Sequence, residues 1–164
     1  MNDITTSAGA ADTGATALAM LAGEKRPDLL RDEVLAEIFA ASVSARPDHI
    51  AMISGERRLS YGQVWAQAQA QARGLALAGV GPGDMVGLWM PRGIDLLVAQ
   101  IAITLSGAAW LPFDAEAPVE RIAICLEDAS AKGLVTQTDW KMRAAATGRT
   151  IWCPSQLAAA SDGK

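Results

Sequence analysis

Positive charge is in short supply in this chain. Fourteen Lys and Arg stand against eighteen Asp and Glu, so the formal net charge is −4. No basic field is available to hold phosphate backbones or anionic lipid, which excludes nucleic acid and a charged membrane surface as partners. Cysteine is equally scarce. Cys125 and Cys153 are too few and too far apart for a disulfide framework or a zinc site. That usage suits a reducing compartment, and a cytoplasmic location is expected. Cys125 lies in an apolar run with Ile122, Ile124 and Leu126 and reads as a small core residue. The lone histidine, His49, has no carboxylate, cysteine or serine partner nearby, so it reads as structural and not as part of a triad. The leader lacks the basic start of a signal peptide and carries Asp3 and Asp12 where that signal would be basic or apolar. Residues 1–29 are expected to be disordered.

What is present is enough apolar residue for a real core, 51% against 20% charged. One stretch, Leu96 to Phe113, contains no charged residue and approaches the length of a bilayer span. Gln100, Thr104, Ser106, Gly107 and Pro112 interrupt it, so a buried helix running into a buried strand is the better reading and no membrane contact is expected.

Punctuation along the chain gives the element order. Leu35, Ile38, Phe39 and Ser42 recur at helical spacing, with Asp32 and Glu33 favourable to the helix dipole. Arg46-Pro47-Asp48 stops that helix. His49–Ile53 and Arg58-Leu59 read as strands around a Gly55-Glu56 turn of type II′. Ser60 and Gln63 form a capping box, with Leu59 and Val64 spaced as a hydrophobic staple. The helix so begun shows Tyr61, Val64 or Trp65, Ala68, Ala72 and Leu75 on one side. Gly79 is a left-handed stop onto which Val80 packs back, and 81–84 is a turn. Strands at Met85–Trp89, Ala108–Leu111, Gly133–Thr136 and Thr150–Trp152 then alternate with helices at Ile94–Leu105, Pro118–Ala129 and Asp139–Ala146. That rhythm predicts an α/β fold, a parallel βαβ sheet layer with flanking helices and a short N-terminal hairpin, doubly wound at least in part.

Such a sheet invites a search for phosphate loops, which follow strands. Gly79, Gly81 and Gly83 precede a strand and lack the lysine of a P-loop, so they read as a turn. Pro91-Arg92-Gly93 does follow a strand and is a possible anion site, although one arginine and one glycine also suit a solvated loop. Asp114, Glu116, Glu120, Glu127 and Asp128 show no spacing that marks acid–base work. Asp114 and Arg121 are expected to bond each other or to cap the helix opening at Pro118. No residue earns a catalytic, cofactor-binding or metal-binding assignment.

Leu59-Ser60-Tyr61-Gly62-Gln63-Val64 resembles the first core motif of amino-acid adenylation domains, Leu-Thr/Ser-Tyr-x-Glu-Leu. Leu105 to Asp114 resembles the second, Lys-Ala-Gly-x-Ala-Tyr-Leu-Pro-Leu-Asp. Gly79 to Asp84, Pro118 to Ile122 and Leu126 to Asp128 resemble the segments around them, in order, from about Leu30 to Thr136. Gln63, Leu105 and Trp110 replace the usual Glu, Lys and Tyr. Gln63 still completes a capping box. Asp114 with Glu120-Arg121-Ile122 is more similar to nonribosomal peptide synthetases than to fatty-acyl or aryl CoA ligases. The run Ala108 to Asp114 is similar to poly-lysine-type synthetases.

The resemblance implies that residues 30–155 are the incomplete N-terminal subdomain of an adenylation domain, with 156–164 a tail or truncation point. It implies ATP and Mg in the intact parent, phosphopantetheine on a downstream carrier domain, and none of these bound by this chain alone. It implies the remainder of the adenylation domain and a carrier domain as partners. The family's lysine-bearing phosphate loop and catalytic lysine have no counterpart here, so the chain alone is not expected to be competent. The alternatives are a freestanding flavodoxin-like domain that binds a nucleotide or a protein partner, with a crevice where the strand order reverses, and the N-terminal part of an acyl-CoA ligase.

Overall fold

The computed structural model describes residues 24–29 and 32–162. The chain divides into two units, Met1–Asp32 and Glu33–Lys164. Most of the expected disordered leader lies outside the described residues. In the first unit a 3₁₀ turn, Pro27–Leu29, follows Arg26, whose guanidinium pairs with Asp28 at 2.6 Å.

The second unit opens with α1 (Leu35–Ala45), whose first turn is tied by the Val34 N–H donating to the Glu37 carboxylate at 3.0 Å. No side chain of α1 is fully buried. Phe39 is its anchor, with ring centroids 5.8 Å from Tyr61 and 6.1 Å from Trp65. The hairpin β1 (Ile50–Ser54) and β2 (Arg57–Ser60) pairs antiparallel with Ser54 opposite Arg57. Gly55 has φ +58° and Glu56 does not have positive φ, as a type II′ turn requires and type I′ does not.

Helix α2 (Tyr61–Leu77) starts as its letters require. The Gln63 N–H donates to Ser60 Oγ at 3.3 Å, and the Ser60 N–H donates to Gln63 Oε1 at 2.9 Å. Leu59 packs against the fully buried Val64. The helix stops at Gly79, φ +82°, in a Schellman motif: Val80 N–H donates to Leu75 C=O and Gly79 N–H to Ala76 C=O, both at 3.0 Å. Pro82 and Gly83 (φ +86°) then form a turn closed by Asp84 N–H to Gly81 C=O.

The main sheet is parallel, in the order β4 (Ala109–Phe113), β3 (Met85–Trp89), β5 (Gly133–Thr136), β6 (Ile151–Trp152). Helix α3 (Ile94–Leu105) covers one face, where Ala99 and Ile103 meet Val86, Leu88, Val135, Leu75 of α2 and Leu157. Helices α4 (Val119–Asp128) and α5 (Lys141–Ala145) cover the other, with Ile122, Leu126 and Ala144 against Trp89 and Leu134. Alternate residues of β3 serve the two faces, which is why the strand reads as one apolar run. The sheet is doubly wound.

Several expectations need correction. The strand expected to stop at Leu111 runs on through Pro112. Among the described residues β4 is an edge strand, the kind of strand on which proline is tolerated. Pro118 stands at the N-cap of α4, one place before the first helical residue. The helix expected from Asp139 begins as a 3₁₀ turn, Thr138–Trp140, and is α-helical only over Lys141–Ala145. Most of the stretch read as a tail or truncation point belongs to α6 (Pro154–Asp162), packed on α2. Cys125 is only half-buried, because α4 turns Ile122 and Leu126 inward; Cys153 is the fully buried thiol. The uncharged stretch from Leu96 breaks at Ser106-Gly107 into α3 and β4, and no described helix is long and apolar enough to cross a membrane.

Candidate functional site

From β3 the chain goes out to β4 on one side and returns to β5 on the other. That reversal leaves the carboxyl ends of β3 and β5 adjacent, with the loops that follow them diverging to opposite faces, and ligands of open α/β sheets settle at such points. A crevice of about 730 Å³ opens there. Its walls are the loop Met90–Gly93 and the start of α3, Gln137 and Thr138 after β5, one side of α2 from Ala66 to Gln71, the hairpin residues Ser54 and Arg57, and the start of α6. The two strand ends are fastened together by the buried Thr136 hydroxyl donating to the Trp89 carbonyl at 2.6 Å.

Charge in the crevice is partly committed. Arg57 of β2 forks onto Asp95 in the first turn of α3, with nitrogen–oxygen distances of 2.8 and 2.9 Å. The hydrogen bond from Arg57 holds the Asp95 carboxyl below the usual carboxylate range, and the same bond raises the Arg57 guanidinium. Arg92 is exposed and makes no hydrogen bond or ion pair with any described residue. Two arginines against one aspartate leave the lining net positive. Gln71 is 6% exposed, and its Oε1 is buried without a hydrogen-bond partner.

The loop Pro91-Arg92-Gly93, singled out as a possible anion site, therefore does reach the switch point. The other chemistry-bearing residues do not. His49 is exposed at the foot of the hairpin, and its carbonyl accepts the Tyr61 N–H at 2.9 Å. Asp114 accepts from the Glu116 N–H at 3.0 Å through Oδ1 and so closes its own turn; among the described residues it neither pairs with Arg121 nor caps α4. No described group of three or more His, Cys, Asp and Glu is placed to hold a metal ion. Gln71 and the Arg57–Asp95 pair were missed in sequence. Gln71 was findable as the one polar letter on the buried stripe of α2, whereas residues 57 and 95 carry no mutual signal. The crevice lining includes two guanidinium groups, of which Arg57 is engaged by Asp95.

The AMP-binding enzyme family matches over residues 39–161. The chain is 50% identical over 138 residues to delta-poly-L-ornithine synthetase of Acinetobacter baumannii, covering 84% of this chain and 10% of that protein. It is 35% identical over 121 residues to gramicidin S synthase 2 of Brevibacillus brevis, covering 74% of this chain and 3% of that one. The chain thus spans a tenth or less of these relatives. Among solved structures, the nonribosomal peptide synthetase FmoA3 with bound α-methyl-L-serine-AMP superposes at a TM-score of 0.70 with 32% identity, over 75% of this chain and 14% of that one. O-succinylbenzoate coenzyme A synthetase of Bacillus subtilis, in complex with AMP, superposes at 0.67 with 17% identity, over 74% of this chain and 32% of that one; at that identity the likeness is one of fold. The flavodoxin-like alternative is not favoured by these likenesses, and the chain belongs to the AMP-binding enzyme family, as the N-terminal part of an adenylation domain of the nonribosomal-peptide-synthetase kind.

Proposed function

We propose that the intact protein joins ATP to an amino-acid carboxylate, releasing pyrophosphate, and passes the aminoacyl group to the phosphopantetheine thiol of a carrier domain in the cytoplasm. The observation that carries this reading is the family match over residues 39–161, supported by relatives that are peptide or poly-amino-acid synthetases. Half-identity to a protein named for poly-L-ornithine supports a cationic diamino acid as the monomer.

No described group of three or more His, Cys, Asp and Glu is placed to hold the magnesium that the family implies. No step through the metal is assigned to them. Pyrophosphate release needs stabilisation of leaving-group charge, commonly the largest catalytic contribution. In this reading the lysine-bearing loop that supplies it lies in the remainder of the domain. What these residues contribute is a sheet whose central strands are fixed at their carboxyl ends by the Thr136–Trp89 bond.

The test is amino-acid-dependent exchange of labelled pyrophosphate into ATP, run with single amino acids including ornithine and lysine. The full synthetase should exchange with a diamino acid, and the 164-residue chain should not. Exchange by the short chain, with contamination excluded, would overturn the division of labour. A full protein active only with neutral amino acids would overturn the substrate class.

A further inference from the structure

We propose that Arg143 is a positioning residue for the switch-point crevice, holding the wall that follows β5 in place from the opposite face of the sheet. Trp89, the last residue of β3, is fully buried on the side covered by α4 and α5. Three segments are fastened to it. Its carbonyl accepts the Thr136 hydroxyl at the end of β5, and its indole N–H donates to the Asp114 carbonyl just after β4, at 3.0 Å. Its ring lies 5.2 Å from that of Trp140, tilted by 54°. The chain between Thr136 and Trp140 is thus pinned to one residue at both ends, and the intervening Gln137 and Thr138 line the crevice.

Arg143 secures the second pin. It stands about one helical turn after Trp140, so the two side chains fall on the same side. Its guanidinium carbon is 4.4 Å from the Trp89 ring centroid and 5.5 Å from that of Trp140, where a cation is drawn to an aromatic face. Its Nη2 donates to the Ala117 carbonyl at 3.4 Å, in the same loop that Asp114 begins. The arginine is exposed, whereas the Trp89 ring beneath it is fully buried. A cation spanning both rings resists their separation, and moving residues 137–138 away from β3 requires that separation. On the adenylation reading proposed above, on which this step rests, Arg143 thereby sets how tightly the crevice takes a substrate. It acts through Trp140 and touches no ligand itself.

Amide hydrogen exchange on the 164-residue chain reads the wall directly. The probes are the Trp140 N–H, bonded to the Gln137 carbonyl at 3.1 Å, and the Lys141 N–H, bonded to the Thr138 carbonyl. Arg143→Ala should speed exchange at both by about threefold or more, with the β3 and β5 amides unchanged. Alanine favours helix more than arginine does, so an Arg143 that served only α5 would give slower exchange instead. Arg143→Lys keeps a cation over the rings and should restore most of the protection. Met142→Ala, on the same turn and 86% exposed, should leave exchange as it is. In the full synthetase, Arg143→Ala should raise KM for ATP or the amino acid by about threefold or more while kcat stays within about twofold. Unchanged or slower exchange in Arg143→Ala would overturn the clamp. Parental KM values in an active Arg143→Ala synthetase would overturn its bearing on substrate. A wild-type synthetase that exchanges pyrophosphate with no amino acid would overturn the adenylation reading alone, and hydrogen exchange then still decides the clamp.

Discussion

Gly74 of α2 is where one added carbon has a calculable effect. A Cβ built there would lie 2.2 Å from the Leu157 carbonyl oxygen and 2.7 Å from two further backbone atoms of Leu157. Real Cβ contacts essentially never fall below 3.0 Å, so the helices must part by about an ångström, and backbone cannot swing aside as a side-chain tip does. Two effects oppose each other in Gly74→Ala. Alanine is favoured over glycine within a helix by roughly 0.8–1.0 kcal/mol. Against that, forcing extra volume into a packed contact costs about 1–3 kcal/mol. Letting α6 lift instead releases Leu157, now 4% exposed, at about 1.5–3 kcal/mol for a buried leucine. Net of the helix gain, overpacking leaves a destabilisation of about 0–2 kcal/mol and lifting α6 one of about 0.5–2 kcal/mol. At roughly 2–4 °C per kcal/mol for a chain of this size, Tm should fall by up to about 8 °C. Urea and thermal melts measure the change, with Ala66→Gly, exposed on the same helix, reporting helix propensity alone. Amide hydrogen exchange should show α6 losing protection before the sheet does. A Gly74→Ala chain more stable than the parent, with α6 still protected, would refute the close helix contact.

Gly87→Ala places its Cβ 2.5 Å from a Leu126 methyl and 2.7 Å from a Leu134 methyl; side-chain tips can rotate, so chemical denaturation should show a loss of about 1–2 kcal/mol, within the overpacking range. Ser60→Ala removes the acceptor for the Gln63 N–H and should cost about 1 kcal/mol in the same assay. The Asp95 carboxyl is held low by Arg57, so its stabilisation is present above the ordinary carboxylate pKa of about 4 and is lost as pH falls through the depressed folded value. Asp95→Asn should therefore flatten the acid limb of the stability profile below about pH 4; because the pair is more than half exposed, the difference should stay within about 1 kcal/mol.

Local chemistry was legible wherever neighbouring residues complete one another. Ser60 with Gln63, Gly79 with Val80, and Gly55 beside Glu56 each carry their partner within a few positions, and each appears as read. The parallel rhythm was legible because β3 and β5 are buried on both faces and so are apolar except for Thr136. What stayed hidden depends on neighbours far along the chain. Pro112 sits on a strand that is at the edge of the sheet among the described residues, and edge position is a property of the whole sheet. Helix α6 is small and weakly patterned, and its place is set by the groove that Gly74 leaves 83 positions earlier. The crevice itself was anticipated only as the requirement of an alternative that the comparisons do not favour. The Arg92 loop was noted, yet nothing in sequence brings Gln71 or the Arg57–Asp95 fork beside it.

The strand order also sets a schedule for synthesis. β3 is made first among the parallel strands and ends in the middle of the sheet, with β4 on one flank and β5 on the other. The first residue of β5 follows the last of β3 by 44 positions, Trp89 to Gly133. At roughly 5–20 residues per second, one flank of β3 waits about 2–9 s for its partner on the ribosome. During that interval Met-Val-Gly-Leu-Trp is an apolar ribbon with an open row of backbone donors and acceptors, a hazard for pairing with another nascent chain. Gly87 at its centre lowers the intrinsic tendency to hold an extended strand. The same missing side chain that lets Leu126 and Leu134 close over the finished sheet makes the unfinished strand a weaker template for pairing.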